Sequence, residues 1–182
     1  EEGNAASALC DMGCKLISQH SDNTTPATTA QTKGAFHTGY NNDMTGVAPD
    51  ASLVGTRIDW SVYFTEIIEA VANGETFDQD WCKGYESGAV VLTPLNEKLC
   101  AEGTAEKLAE VEKKLADGEL HVFDTSTFTV DGKTLEHAFA LDTDGDFTPD
   151  ADEAIFDGYY HESYFQAAPS FQLRIDGITE LN

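Results

Sequence analysis

Polar and aromatic side chains follow three short apolar segments in the first sixty residues. Each segment stops abruptly, as buried parallel strands do where they end above a ligand crevice. The side chains offer hydrogen-bonding groups and flat rings, but they contain no recognisable nucleophile–base pair. The predicted chemistry is therefore recognition of a small ligand, not catalysis. The candidate ligand-binding residues are His20, Asp22, Tyr40, Asn41, Asp43, Met44, Asp59 and Trp60.

Several of these residues also have a simpler structural interpretation, which the sequence leaves open. His20 fits a strand-end histidine bonded to the backbone, Asp59 fits a helix N-cap, and Trp60 fits ordinary packing. The turn-rich composition after the second segment would explain Asn41 and Asp43. A metal site at the first two strand ends is disfavoured because a fourth strong ligand is lacking.

Motifs of the common enzyme classes are absent from the sequence. It contains no G-x-S-x-G, phosphate-binding P-loop, G-x-G-x-x-G or H-E-x-x-H pattern. The remaining histidines show no metal-ligand spacing, and we expect structural roles for them. These residues are His37, His121, His137 and His161.

The elements that must position the candidate site alternate along the chain. Strands followed by helices predict an α/β fold, with a parallel sheet flanked by helices and right-handed crossovers. The predicted strands cover 15–18, 35–39, 53–58 and 88–94, and the predicted helices cover 4–13, 24–33, 59–73 and 104–117.

The pattern changes after residue 120. Residues 128–135 predict a hairpin around a two-residue turn, Asp131-Gly132. We therefore predict an α/β ligand-binding lobe over 1–135, and an irregular acidic C-terminal extension over 136–182 that ends in a closing strand.

An Asp-rich loop in this extension matches part of a calcium-binding template. Its oxygens occupy positions 1, 3, 5, 9 and 12 of the EF-hand loop. Phe147 replaces the glycine of position 6, and Pro149 departs from the template at position 8. A calcium site and a solvated acidic loop both remain open. The candidate metal ligands are Asp142, Asp144, Asp146, Asp150 and Glu153.

Composition limits the partners. The 182 residues carry 33 acidic and only 10 basic side chains, for a net charge of −23. Nucleic acid is therefore an improbable partner, because phosphate backbones are held by Lys and Arg. No apolar run approaches the roughly 20 residues of a membrane span.

The four cysteines lack the paired spacing of a zinc site. Cys82 and Cys100 flank a compact segment, so either a disulfide in an oxidising compartment or reduced thiols would fit. The first residues read as the opening of a helix without a preceding strand, and we expect the natural protein to extend upstream.

Six stretches of the sequence resemble the C-terminal lobe of the basic membrane protein family. Members of this family are substrate-binding lipoproteins of bacterial ABC importers that take up nucleosides and purines. The most specific are the QHSD segment and the loop that ends in DM. The matching stretches are 5–13 (AASALCDMG), 17–22 (ISQHSD), 39–44 (GYNNDM), 48–49 (AP), 58–60 (IDW) and 88–92 (GAVVL).

The resemblance implies one lobe of a type I periplasmic binding protein, whose ligand lies between two hinged lobes. It implies that Trp60 stacks on a base, with His20 and Asp22 near the polar edge. Asn41 stands where family members place an acidic residue toward the ribose, and Thr56 stands where they carry a lysine. These departures leave open whether the ligand is a purine base or a nucleoside.

The resemblance also implies partners and a location. We expect a missing N-terminal lobe, an ABC permease in the membrane, and an extracytoplasmic protein anchored through an N-terminal lipid outside this chain. No cofactor is required beyond the possible calcium. The alternative is a non-enzymatic flavodoxin-like structural or interaction module with a calcium-binding loop.

Overall fold

A computed structural model describes residues 1–139, 153–163 and 173–180. Its contacts divide the chain into two compact units. The first comprises Glu1–Glu75 and Lys83–Asp117, and the second comprises Thr76–Cys82 and Gly118–Asn182. The first unit therefore ends before residue 135, where the sequence places the end of the ligand-binding lobe, and that domain assignment stays a prediction.

The first unit is built around a four-stranded sheet in the order β1-β2-β3-β4. The first three strands are parallel neighbours, as predicted. Their carboxyl ends consequently meet at one edge of the sheet. The strands are β1 (Leu16–Ser18), β2 (Phe36–Tyr40), β3 (Ser52–Ile58) and β4 (Val90–Leu92).

β4 corrects the prediction of an all-parallel sheet, because it runs antiparallel to β3. A strand, a helix and a short return would have produced another parallel strand. Here residues 75–89 lie between the helix that follows β3 and the start of β4. They return the chain to the carboxyl end of β3, so β4 begins beside Ile58 and runs in the opposite direction. The sheet is mixed and mostly parallel, and the α/β class is confirmed.

The four helices predicted from the sequence are present. Gly34 and Gly74 end two of them in the left-handed conformation that glycine adopts without a steric penalty. The Asn23 side chain, one residue before the N-cap of the second helix, accepts a hydrogen bond from the Thr25 amide at 2.9 Å. The helices are α1 (Glu2–Asp11), α2 (Thr25–Lys33), α3 (Trp60–Asn73) and α4 (Thr104–Ala116).

Small side chains form most of the buried core of this unit. Alanines let α1, α2 and the first strands approach closely. One cluster contains Ala6, Ile17, Ala30 and Ala35, and the other contains Ala27, Met44, Ala48 and Ala51. Both clusters hold the first two strand ends in place.

The second unit has little regular structure in its described residues. Its strands β5 (Ile155–Phe156) and β6 (Tyr159–Tyr160) pair antiparallel. The predicted turn is confirmed: Asp131 and Gly132 have φ of 51° and 73°, and the flanking Val130 and Lys133 exchange backbone hydrogen bonds. The predicted hairpin strands are not formed beyond that bridge.

All four cysteines lie among the described residues, and each is a free thiol, so the structure contains no Cys82–Cys100 disulfide. Within the described ranges, no helix combines the length and apolar character that crossing a membrane requires.

Candidate functional site

The carboxyl ends of β1, β2 and β3 bring the predicted ligand-binding residues to one edge of the sheet. His20 and Asp22 follow β1, Tyr40 ends β2, and Trp60 opens α3 directly after β3. Neighbouring strands lie about 4.8 Å apart, so these ends span roughly 10 Å. This edge is open to solvent at His20, Asp22 and Trp60.

His20 and Tyr40 are in direct contact across the first two strand ends. Their ring centroids lie 4.0 Å apart, and their planes are inclined by 17°. Each ring limits the rotation of the other. The pair therefore presents an ordered aromatic surface with polar edges.

The loop after β2 is held by local hydrogen bonds. Asn41 has a φ of 63°, which asparagine tolerates better than most residues, and its amide donates to the Thr56 carbonyl at 2.7 Å. Asp43 accepts hydrogen bonds from the amide and the hydroxyl of Thr45. The Met44 side chain lies in the alanine-rich core and is only 7% exposed.

Asp59 and Trp60 form the start of α3. Asp59 is the N-cap: its carboxylate accepts from the Ser61 amide at 3.0 Å and from the Ser61 hydroxyl at 2.6 Å. The side-chain and backbone bonds from Ser61 lower the pKa of Asp59, aided by Arg57, whose guanidinium lies 3.7 Å away. Capping therefore explains Asp59 without excluding ligand contact.

Trp60 is 54% exposed at this edge. Its ring meets Tyr63 edge-on at 6.3 Å between centroids and lies 6.4 Å from Phe64. These neighbours lie on its own helix and leave much of the indole accessible. Both packing and ligand stacking are compatible with this position.

A buried polar network that sequence reasoning missed lies beneath the first strand end. His37 is fully buried in β2, with Nδ1 3.0 Å from the Ser52 hydroxyl and Nε2 2.9 Å from the Gln19 side-chain oxygen. The Gln19 amide nitrogen donates to the carbonyls of Ser21 at 2.9 Å and Asn23 at 2.7 Å. The partners are far apart in sequence, so only the fold reveals the network.

Two glycines allow the strand ends to come close together. A Cβ on Gly55 would lie 3.1 Å from the Gly39 carbonyl oxygen and 3.4 Å from that of Asn42. A Cβ on Gly39 would lie 3.1 Å from the His37 ring. The sequence gives no warning of the first contact, because Gly39 and Gly55 lie on different strands.

The calcium prediction falls mostly outside the described residues, where Asp142, Asp144, Asp146 and Asp150 lie. Glu153 is described. Burial would raise the pKa of Glu153, but bonds from the Ala138 and Ile155 amides and from His137 outweigh it, and the pKa is lowered. Among the described residues, no three His, Cys, Asp or Glu side chains form a metal-binding group.

The geometry suits binding of a flat, polar-edged molecule. The stacked imidazole and phenol and the exposed indole supply ring faces, while Asp22 and Asn41 supply exposed polar groups. Such convergence of apolar faces with a few polar groups is typical of small-molecule sites.

Comparison with known proteins gives two related sequences. A purine-binding protein of Brucella abortus is 32% identical over 124 residues, which is 68% of this chain and 35% of that protein. A putative ABC transporter glucose-binding protein of Haloferax volcanii is 27% identical over 135 residues, which is 74% of this chain and 34% of that protein. No protein-family model matches. The chain thus spans about a third of the length of these relatives.

A solved structure shares the fold. It is a solute-binding protein of an ABC transporter system from Conexibacter woesei, with a TM-score of 0.51 and 18% identity over 66% of this chain and 41% of that one. Together these matches confirm the predicted resemblance to ABC-transporter solute-binding proteins. They are consistent with the basic membrane protein family.

Proposed function

We propose that this chain, a relative of ABC-transporter solute-binding proteins, is the part of such a protein that captures a purine base or nucleoside for import. The observation that carries the purine assignment is the stacked His20–Tyr40 pair, at the same sheet edge as the exposed Trp60. Base stacking on aromatic side chains contributes about 1–3 kcal/mol per base. The name of the Brucella abortus relative supports the same ligand class.

Binding without turnover is part of the proposal. The two sequence relatives and the structural neighbour are all named as binding proteins. A ligand recovered chemically unchanged after prolonged incubation with the chain is the expected result, whereas a modified product would contradict it.

The proposed protein acts outside the cytoplasm and delivers its ligand to a membrane permease. A lipid anchor and a second lobe would lie in parts of the protein outside this chain, and lobe closure would complete the site. One side of a crevice supplies only part of the contact area, so the isolated chain should bind weakly. Calcium binding by residues 142–153 stays a prediction from the spacing of the acidic residues.

An NMR titration of the 182-residue chain tests the ligand class. Adenine, guanine, adenosine, inosine and glucose are added separately to millimolar levels, while the two indole N–H signals are followed. The Trp60 signal, identified by its loss in Trp60→Phe, should shift saturably with at least one purine compound. The absence of saturation with every purine compound would overturn the proposal, and saturation with glucose alone would assign a sugar.

A further inference from the structure

The side chain of Gln19 ties the loop that carries His20 and Asp22 to the protein interior. The Gln19 amide nitrogen donates to the carbonyls of Ser21 and Asn23, which flank Asp22 on either side. Gln19 is itself 8% exposed. The conformation around Asp22 therefore depends on which way the Gln19 amide points.

The direction of the Gln19 amide is coupled to the protonation of His37. Because the Gln19 nitrogen is used by the two carbonyls, its oxygen must accept, and His37 must donate to it through Nε2 at 2.9 Å. Nδ1 lies 3.0 Å from the Ser52 hydroxyl. Burial disfavours a second proton on the ring, so Nδ1 accepts from that hydroxyl and the imidazole is neutral, with its proton on Nε2.

The surroundings of His37 leave it little freedom. The residue is 0% exposed, and the space beside its ring is closed by the Gly39 backbone, where an added Cβ would meet the ring at 3.1 Å. A buried imidazole without partners would be costly, so the full network is favoured over partial ones.

We propose that His37 is a positioning residue which, through Gln19, holds the loop bearing His20 and Asp22 in its ligand-binding conformation. This inference rests on the proposed function for its effect on affinity. The effect on the loop itself is independent of any ligand.

Three variants and a control separate the steps of the network. His37→Phe keeps a ring but removes both hydrogen bonds, whereas His37→Gln keeps an amide donor toward Gln19. Gln19→Glu keeps an acceptor for His37 but cannot donate to the two carbonyls. Thr38→Val is the control, because it removes a 2.8 Å side-chain bond to the Val54 carbonyl while keeping the His37 ring, the Gln19 side chain and the backbone bond from Gln19 to the Thr38 carbonyl.

The first measurement is the backbone amide order parameter of residues 20–23 in the ligand-free 182-residue chain, determined by NMR relaxation. It should fall from about 0.85 to below about 0.6 in His37→Phe and Gln19→Glu, and stay near the wild-type value in His37→Gln and Thr38→Val. Unchanged order in Gln19→Glu would overturn the proposal. If His37→Phe does not fold, the contrast between Gln19→Glu and His37→Gln still decides.

The second measurement is the dissociation constant for adenine in the same variants. It should rise about tenfold in Gln19→Glu, which loses both bonds to the loop carbonyls, and remain within about twofold in His37→Gln. Loss of loop order without loss of affinity would overturn the link to binding. A wild-type chain that binds no purine overturns the proposed function instead, and the order parameters then decide the structural part alone.

Discussion

The imidazole of His20 lies flat against the phenol ring of Tyr40, 4.0 Å away, although the two residues belong to different strand ends. The contact joins the β1 loop to the last residue of β2. Any change that moves one loop will therefore be transmitted to the other. The pair forms one continuous aromatic surface.

Loss of the Tyr40 ring should weaken purine binding. Tyr40→Ala removes the support of His20, and we expect about a tenfold higher dissociation constant for adenine. Tyr40→Phe keeps the stack and is the matched control, with affinity close to that of the wild type. NMR titration measures both, and equal affinities for Tyr40→Ala and Tyr40→Phe would contradict the role of the stack.

Trp60 should contribute by stacking on the base. Trp60→Ala is expected to weaken adenine binding by about tenfold, while Trp60→Phe should retain part of the affinity. Phe64→Ala is a useful comparison, because it removes an indole neighbour on the same helix but no ring at the strand end. A larger effect from Phe64→Ala than from Trp60→Ala would indicate that the indole serves packing only.

The stability of the chain should depend on pH through His37. Burial lowers the pKa of His37 below the ordinary value of 6.5. Between the lowered pKa and 6.5 the unfolded chain binds more protons, so stability is fully present above 6.5 and declines as the pH falls toward the folded-state pKa. His37→Gln removes this contribution.

Urea unfolding at several pH values measures the effect. The difference in unfolding free energy between the wild type and His37→Gln should shrink as the pH falls below 6.5. The comparison also cancels the contribution of His161, whose pKa is likewise lowered, mainly by burial. A difference that stays constant with pH would show that His37 does not titrate in this range.

Gly55 should not tolerate a side chain. Gly55→Ala places a Cβ against two backbone carbonyls, which have little freedom to move, and should destabilise the fold by about 1–3 kcal/mol. Gly46→Ala is the matched control, because a Cβ there meets nothing within 4 Å. Urea midpoints compare the two, and equal midpoints would contradict the close approach of the strands.

Calcium should raise the melting temperature if residues 142–153 bind it. The expected rise at millimolar calcium is absent in Asp144→Ala and in Asp144→Ala combined with Glu153→Ala. Each variant is compared with and without calcium, because Glu153 also accepts bonds from the Ala138 and Ile155 amides. If calcium leaves the melting temperature of the wild type unchanged, the calcium site is contradicted and the solvated acidic loop is favoured.

Local sequence signals predicted the elements of the first unit. Apolar spacing and the stop signals Gly34 and Gly74 located the helices, because both act within a few residues. The direction of β4 was missed, since an apolar run such as 88–92 favours a buried strand of either direction. Direction depends on the path of the preceding residues, which no local pattern encodes.

At the candidate site, too, local sequence patterns predicted single residues but not the contacts between distant ones. Its polar strand ends were recognisable because each directly follows an apolar segment. His37 was correctly expected to be structural, but its link to Gln19 required the register of two strands. Met44 was predicted as a ligand contact, whereas the structure places its side chain in the core; ligand contact by Met44 stays a prediction.

The reversed direction of β4 has a consequence for engineering specificity. In an all-parallel sheet, the segment leaving the fourth strand would border the sheet edge that carries the candidate ligand-binding residues. In this protein the segment that enters β4 borders that edge instead. The Asp59 amide accordingly donates to the Ala89 carbonyl at 2.7 Å. A mutagenesis library aimed at new ligands should therefore randomise residues 84–89, and should leave the residues that follow Leu92 unchanged.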